Sequence, residues 1–345
     1  MLRKIIISLL IVGISASFGF SQDQRTTQTK IADIVMQLPA KSSADFNRLM
    51  NELVKTGDII PTMAASLADP GKGNDSQTRY AIAGMATYAG KTANAERKSV
   101  ADGLGKAIQQ AKSDEIRDFL LIQLQYVAGE ESVALVAQYL ANDRLCDAAA
   151  RVLVRINSES SKKALLTALP SATGKKQQTI VQSLGYVKYA PALDAITMLN
   201  TEGNPGLRKV WMFALANIGS PASEPFLRVV VQGANYNYEQ TDALGSYLLL
   251  LDNLLKGGNK QLVENITKQM LKQSNMPVHA KSAALKLYTQ SATEKNGIAE
   301  IIKALDSNNK QYREAALLYS QDIKSGEMYN ALMKKASKEK RPEIK

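Results

Sequence analysis

The sequence predicts an all-α protein, built as a right-handed α-solenoid of stacked helix pairs. Apolar residues recur at the i, i+3, i+4, i+7 spacing of an amphipathic helix, as at Ala149, Val152, Leu153 and Ile156. A short leucine-containing segment repeats along the chain, and no stretch shows the sustained alternation of a strand. With 45% hydrophobic and 22% charged residues, the chain has a globular composition.

The repeated segment is a leucine, two variable residues and an aliphatic residue. It occurs as LQYV, LVRI, LGYV and LANI, beginning at Leu124, Leu153, Leu184 and Leu215, so the spacings are 29, 31 and 31 residues. A second leucine series lies between these segments, at Leu140, Leu169 and Leu199. One period therefore holds two short amphipathic helices, and stacked pairs would supply each other's core.

The helix after residue 204 has the longest apolar stripe, which includes the single tryptophan. Its members lie at Leu207, Val210, Trp211, Ala214, Leu215 and Ile218. This spacing covers one helical face over three turns. We therefore expect Trp211 to be a core residue.

A local motif marks the second helix of several units: a capping residue, an apolar or small residue three positions on, and a base at the fourth. It occurs as Asp75/Thr78/Arg79, Ser113/Ile116/Arg117, Asn204/Leu207/Arg208, Asn275/Val278/His279 and Asn309/Tyr312/Arg313. The cap side chain can accept a hydrogen bond from an amide of the first turn. The pattern resembles HEAT repeats, in which an Asp-x-x-Val-Arg motif opens the second helix. The resemblance implies a concave binding face.

In HEAT-like folds the motif arginine commonly supports neighbouring repeats through hydrogen bonds. The resemblance therefore implies a mainly structural role for Arg79, Arg117, Arg208 and Arg313. A basic stripe that binds an anionic partner is the alternative.

The central stretch, residues 119–129 and 139–150, has a narrower resemblance. It is similar to exported HEAT segments of Bacteroidota-type bacteria that stand beside a 3-keto-disaccharide hydrolase domain. The resemblance implies a setting in glycan degradation and brings no catalytic residue.

Residues 1–21 are predicted to be a cleavable signal peptide. Arg3 and Lys4 precede the apolar run of residues 5–12, and small residues precede a cleavage point before Gln22. The run is too short for a membrane anchor, and no lipoprotein cysteine follows it. We therefore expect a periplasmic or secreted protein that is not inserted in the membrane after cleavage.

The remaining boundaries follow from composition and spacing. Residues 22–42 are expected to be loosely ordered, and residues 43–333 to form the solenoid, with irregular stretches near 69–76 and 233–241. Residues 334–345 form a basic tail.

Charge restricts the class of partner. After signal removal the chain has 41 basic and 32 acidic residues, a net charge of +9. An acidic protein or an anionic glycan is the expected partner, and nucleic acid is not expected for an exported chain. Plain solubility is the alternative explanation for the charge.

The sequence shows no assembled catalytic motif. One cysteine excludes an internal disulfide, and one histidine excludes a histidine-rich metal site. His279 is expected to be a structural or solvent-facing side chain, and Cys146 a buried or half-buried thiol. We therefore predict no catalytic residue, no metal site and no cofactor.

The irregular stretch near residue 236 is the most suggestive binding feature. It places two tyrosines among asparagines, at Asn235, Tyr236, Asn237 and Tyr238. Tyrosine stacks on sugars or partner side chains, and asparagine both donates and accepts hydrogen bonds. We predict a binding role for these four residues; the alternative is that the tyrosines pack on the solenoid.

These observations favour a non-catalytic, exported HEAT-repeat scaffold that mediates protein–protein interaction. An accessory or N-terminal module of a secreted glycan-degrading enzyme, or glycan binding through the tyrosine loop, is the alternative. An independent enzyme is the third hypothesis.

Overall fold

The computed structural model describes residues 26–338, which form helices and turns without a strand. The signal-peptide prediction and the last seven residues of the basic tail lie outside this range. The α-helices, in chain order, are α1 Thr27–Val35, α2 Ser43–Lys55, α3 Ile60–Ala64, α4 Ser76–Ala89, α5 Asn94–Gln110, α6 Asp114–Leu124, α7 Val133–Ala137, α8 Cys146–Ile156, α9 Glu159–Ala168, α10 Gly174–Tyr186, α11 Leu193–Thr197, α12 Pro205–Ile218, α13 Glu224–Gly233, α14 Ala243–Lys256, α15 Lys260–Met270, α16 Val278–Ser291, α17 Glu294–Ala304, α18 Lys310–Ser320 and α19 Gly326–Lys338.

The helices pack as an α-solenoid with two rows. From α2 to α18 each even-numbered helix packs against the next even-numbered helix, and we call this the even row. The odd-numbered helices from α3 to α19 lie beside them as the odd row. The predicted all-α solenoid of helix pairs is therefore confirmed.

The repeated leucines hold the even row together. Leu124, Leu153, Leu184 and Leu215 are all fully buried, on α6, α8, α10 and α12. The backbones of α10 and α12 approach closely, because a Cβ on Gly185 would lie 2.7 Å from the Ala214 Cα. Small residues thus let two helices of this row pack at short distance.

Trp211 joins the two rows, as its helical spacing predicts. Its side chain is 6% exposed. The indole Nε1 donates a 2.8 Å hydrogen bond to the Ile196 carbonyl of α11. Its ring lies edge-on to Phe226 of α13, with 6.1 Å between centroids. The prediction of a core tryptophan is confirmed.

The N-terminal segment differs from expectation. Thr26 caps α1 by accepting a hydrogen bond from the Thr29 amide at 3.2 Å. Ile34 and Leu38, at helical spacing, are buried against the following helices. The expectation of loose order for residues 22–42 therefore does not hold over residues 26–42, because their apolar residues form a packed helical face.

The other end of the solenoid also continues further than its predicted boundary. Helix α19 extends to Lys338, past the boundary placed at residue 333. Lys335, assigned by sequence to the tail, pairs with Asp306 instead. None of the helices within residues 26–338 has the length and apolar character needed to cross a membrane.

Candidate binding cleft

The third residue of each repeated segment faces outward along the even row. In LQYV, LVRI, LGYV and LANI this position is occupied by Tyr126, Arg155, Tyr186 and Asn217. Tyr126 is 50% exposed and Tyr186 is 58% exposed, although the leucine two positions earlier is fully buried in each case. We call these four residues the third-position row.

A cleft of about 650 Å³ opens beside this row, and we call it the central cleft. It lies between the end of α6 and helices α8 and α10. Its lining comprises Gln125, Asp147, Arg151, Val154, Arg155, Asn157, Thr179, Gln182, Ser183 and Tyr186. Sequence reasoning missed this cleft, because its residues come from helices about 30 positions apart in the chain.

Within residues 26–338, one of the two arginines of the central cleft is ion-paired and the other is not. The Asp147 carboxylate forms an ion pair with the Arg151 guanidinium at 2.7 Å. Arg155 is exposed and forms no ion pair with any residue from 26 to 338. The amides of Gln125, Asn157 and Gln182 add donors and acceptors.

An aromatic pair borders the central cleft. The rings of Tyr186 on α10 and Phe213 on α12 meet edge to face, with 5.0 Å between centroids and an interplanar angle of 67°. Edge-to-face contacts hold two rings in a defined orientation. Tyr186 thus presents a positioned ring that is still accessible from solvent.

A second cleft of about 680 Å³ lies on the same row near the C-terminal end, and we call it the C-terminal cleft. It is formed by α14, α16 and α18, together with the first residue of α15. Its lining comprises Leu248, Asp252, Leu255, Lys256, Lys260, Ala283, Lys286, Leu287, Gln290 and Tyr319.

The motif arginines mostly bind the connection that precedes their own helix. The guanidinium groups of Arg79 and Arg117 donate to the carbonyls of Ala68 and Ala111, at 2.8 and 2.6 Å. Arg313 donates to two carbonyls in the turn before α18. These contacts satisfy backbone acceptors that a turn would otherwise leave to water.

One motif arginine also links neighbouring repeats. The guanidinium of Arg79 on α4 lies over the ring of Phe119 on α6, 4.7 Å from its centroid. Such a cation–π contact stabilises the stacking of adjacent helices. The placement of Arg79 agrees with the structural role that the resemblance implies.

Arg208 differs from the other three motif arginines. Its guanidinium forms no hydrogen bond or ion pair with residues 26–338; the side chain is half-buried and acts on Glu239 through its charge. Burial pushes the pKa of the Glu239 carboxyl upward. Hydrogen bonds from the Ala243 and Thr241 amides and the Thr241 hydroxyl, together with the Arg208 charge, outweigh burial and leave that pKa below its usual range.

The cap predicted from the motif forms in three of its five copies. Ser113, Asn204 and Asn309 accept hydrogen bonds from the amide three residues on, at 3.3, 3.0 and 3.1 Å. Asp75 instead accepts from the Ala68 amide and from Arg79. Asn275 makes no cap, because Pro277 occupies the N-cap position of α16.

The tyrosine loop splits into a buried and an exposed half. Tyr236 is 9% exposed and belongs to the core, whereas Tyr238 is 82% exposed. Asn235 and Tyr236 both have left-handed backbone angles, with φ of 51° and 56°, which turns the Tyr236 ring inward. A partner-facing role therefore does not hold for Tyr236. Asn235, Asn237 and Tyr238 remain accessible.

Neither the single histidine nor the single cysteine lines one of the two clefts, although Cys146 directly precedes Asp147 of the central cleft. His279 is exposed near the start of α16. Cys146 is buried, and burial followed by the nearby Asp147 charge raises the pKa of its thiol to about 11. Residues 26–338 contain no group of three or more histidine, cysteine or acidic side chains that could hold a metal ion.

Comparison with known proteins identifies no family. No protein-family model matches the sequence, and no curated protein matches it significantly. A solved crystal structure described as an engineered protein aligns over 91% of this chain and 96% of its own, with 15% identity and a TM-score of 0.38. At that TM-score the likeness carries no conclusion about function.

Proposed function

We propose that this protein is a non-catalytic, exported scaffold of HEAT-like repeats whose even row binds a segment of another protein. The observation that supports this most is the position of the two largest clefts described above, since both open on the even row. A row of stacked helices offers an extended surface, which suits a chain-like ligand better than a compact one.

The chemistry of the central cleft suits a polypeptide. A peptide presents an amide donor and a carbonyl acceptor at nearly every residue. Gln125, Asn157 and Gln182 can each donate to and accept from such a backbone. Tyr186 offers an exposed ring for an apolar side chain, and Arg155 offers a free positive charge.

The charged groups of the central cleft favour binding over catalysis. Asp147, the acid in its lining, is already paired with Arg151. A general base needs a carboxylate that can reach a substrate proton at a suitable pKa. An ion-paired aspartate beside permanently charged arginines serves instead to fix the shape and charge of a binding surface.

Peptide selection tests this proposal. The purified protein would be used to select from a random 12-residue peptide library, and the affinities of selected peptides would be measured by fluorescence anisotropy. We expect Tyr186→Ala and Arg155→Ala each to weaken binding at least tenfold. Tyr329→Ala is the matched control, because Tyr329 is an exposed tyrosine on α19 in the odd row. Equal losses in all three variants would contradict a site on the even row.

A second candidate function, glycan binding, is favoured by Tyr238. Its ring is almost fully exposed at a loop that the buried Tyr236 anchors. This arrangement would suit an accessory module of a secreted glycan-degrading enzyme. Tyr238→Ala should weaken binding to oligosaccharides on a glycan array at least tenfold, with an unchanged melting temperature. Unchanged glycan binding would remove this candidate.

Export has its own test. We propose that residues 1–21 are removed on secretion, because they combine a basic start, a short apolar run and a small-residue cleavage site. Mass spectrometry of the protein recovered from its native cells should find Gln22 at the N-terminus. An intact chain beginning at Met1 would contradict the export proposal.

A further inference from the structure

The walls of the C-terminal cleft are largely apolar. Leu248 and Leu255 lie on α14, Leu287 lies on α16 and Tyr319 lies on α18. Leu248, Leu255 and Tyr319 are half-buried, so part of each side chain still faces solvent. Such a surface gains free energy when a partner's apolar side chains cover it.

The rim of the C-terminal cleft carries a surplus of positive charge. Asp252 is the acid in its lining, and its carboxylate pairs with Lys256 at 2.5 Å. Lys260 and Lys286 are exposed and form no ion pair with any residue between 26 and 338. The cleft therefore presents two unpaired positive charges beside apolar walls.

Position beside apolar walls, and not the lack of an ion pair alone, sets Lys260 and Lys286 apart. Lys98, Lys303 and Lys310 pair with an acid on their own helix. Lys268 and Lys295 are exposed and form no ion pair with residues 26–338, but they lie outside the lining of this cleft. Unpaired charges beside an apolar groove favour a ligand of the opposite charge and of mixed polarity. The central cleft, in contrast, balances one of its two arginines with Asp147.

We propose that the C-terminal cleft binds an acidic, amphipathic segment of the partner protein. Leucine-like side chains of that segment would cover Leu248, Leu255 and Tyr319, and two of its carboxylates would lie opposite Lys260 and Lys286. The inference rests on the proposed function and specifies the chemistry of the partner. An anionic glycan would also satisfy the lysines, but it has no apolar groups to cover the leucine walls.

Two matched peptide libraries test the proposal. In the first, the variable positions of a 12-residue peptide hold Leu, Phe, Asp or Glu; in the second, Asn and Gln replace the acids. The wild-type protein should retain the acidic library at least tenfold more strongly than the amide library. The preference should weaken when salt rises from 50 to 500 mM, because ions screen exposed charges.

Charge reversal assigns the preference to this cleft. We expect Lys260→Glu combined with Lys286→Glu to reduce the acidic preference at least tenfold, and the Lys→Gln pair to reduce it less. Lys268→Glu combined with Lys295→Glu is the matched control. These lysines are exposed on α15 and α17 in the odd row, and the change in net charge is the same. Thermal unfolding by circular dichroism would show that all variants fold.

Three results would overturn the inference. The wild-type protein could retain both libraries equally, or the preference could survive reversal of Lys260 and Lys286. Stronger, lysine-dependent binding of a heparin hexasaccharide would assign the cleft to anionic glycans. The random-peptide selection described above, with its Tyr186→Ala variant, tests the central cleft separately. Success there without acidic preference would overturn this inference alone, whereas failure of all peptide binding would overturn the proposed function as well.

Discussion

The even and odd rows of helices differ in regularity. Every even-row helix from α2 to α18 has between 11 and 14 residues. In the odd row α3, α7 and α11 have only five residues. The 3₁₀ segments all lie next to odd-row helices, at Glu130–Ser132, Gln138–Ala141, Leu169–Ser171, Ala190–Ala192 and Pro221–Ser223.

The difference shows that helix length is constant in the even row and varies in the odd row. Isolated helices of 11 to 14 residues are marginal in water, so the even row depends on the packing between its members. Its regularity keeps equivalent residues in line, which is the condition for a continuous binding surface. The short helices α7 and α11 pack on α8 and α12 of the even row, whereas α3 packs chiefly on the long helix α5.

The largest effect is expected where one side chain joins the rows. Trp211→Ala should lower the free energy of unfolding by about 3–5 kcal/mol, because it leaves a cavity between α11, α12 and α13. Urea unfolding would measure the loss. Trp211→Phe is the control, since it keeps a ring in the site and removes the hydrogen bond to Ile196; its loss should be smaller. A loss below about 1 kcal/mol for Trp211→Ala would show that the rows are not coupled there.

Two glycines, one in each row, allow the tightness of helix packing in the two rows to be compared. Gly185→Ala should destabilise by about 1–3 kcal/mol, because the new methyl group would meet the Ala214 backbone of α12. Gly297 on α17 in the odd row has only ordinary contacts, at 3.7 Å or more, around an added Cβ. Gly297→Ala should therefore stabilise by about 0.5–1 kcal/mol, as alanine favours a helix. Thermal melts of the two variants that shift in the same direction would contradict tighter packing in the even row.

The smallest expected effect concerns alkaline pH. Cys146 begins α8 in the even row, and its pKa of about 11 lies above the unfolded-state value near 9. Its contribution to stability is therefore complete below pH 9 and is lost as pH rises toward 11. Relative to Cys146→Ala, the wild-type protein should therefore lose additional stability over that range. If the free energy of unfolding falls equally with pH in the two proteins, burial does not raise the pKa of the Cys146 thiol.

Local periodicity is enough to predict the helix pairs, because all residues of one amphipathic stripe lie within a single segment of the chain. The repeated Leu124 and Leu153 and the predicted core residue Trp211 are all buried. The packed helix α1 was missed, because its apolar residues lie in a short segment that begins with polar ones.

The clefts are harder to predict, because their linings combine residues from several helices that are distant in the sequence. Composition alone singles out the tyrosine loop, yet the structure buries Tyr236 and exposes Tyr238. A signal for the central cleft was present in the repeats themselves. The third position of each segment is variable, with Tyr126, Arg155 and Tyr186 among aliphatic neighbours, and a residue that breaks a buried pattern at a fixed place points outward.

The third-position row has a consequence for how this surface can diversify. Each of its members follows a fully buried leucine by two positions, and each lies outside the core itself. If the even row binds a partner as proposed, a substitution at one of these positions would change the exposed surface and leave the buried leucine two positions earlier in place. Under the proposed function, the binding surface would change one helix at a time, and duplication of a helix pair would add one more exposed position to the row.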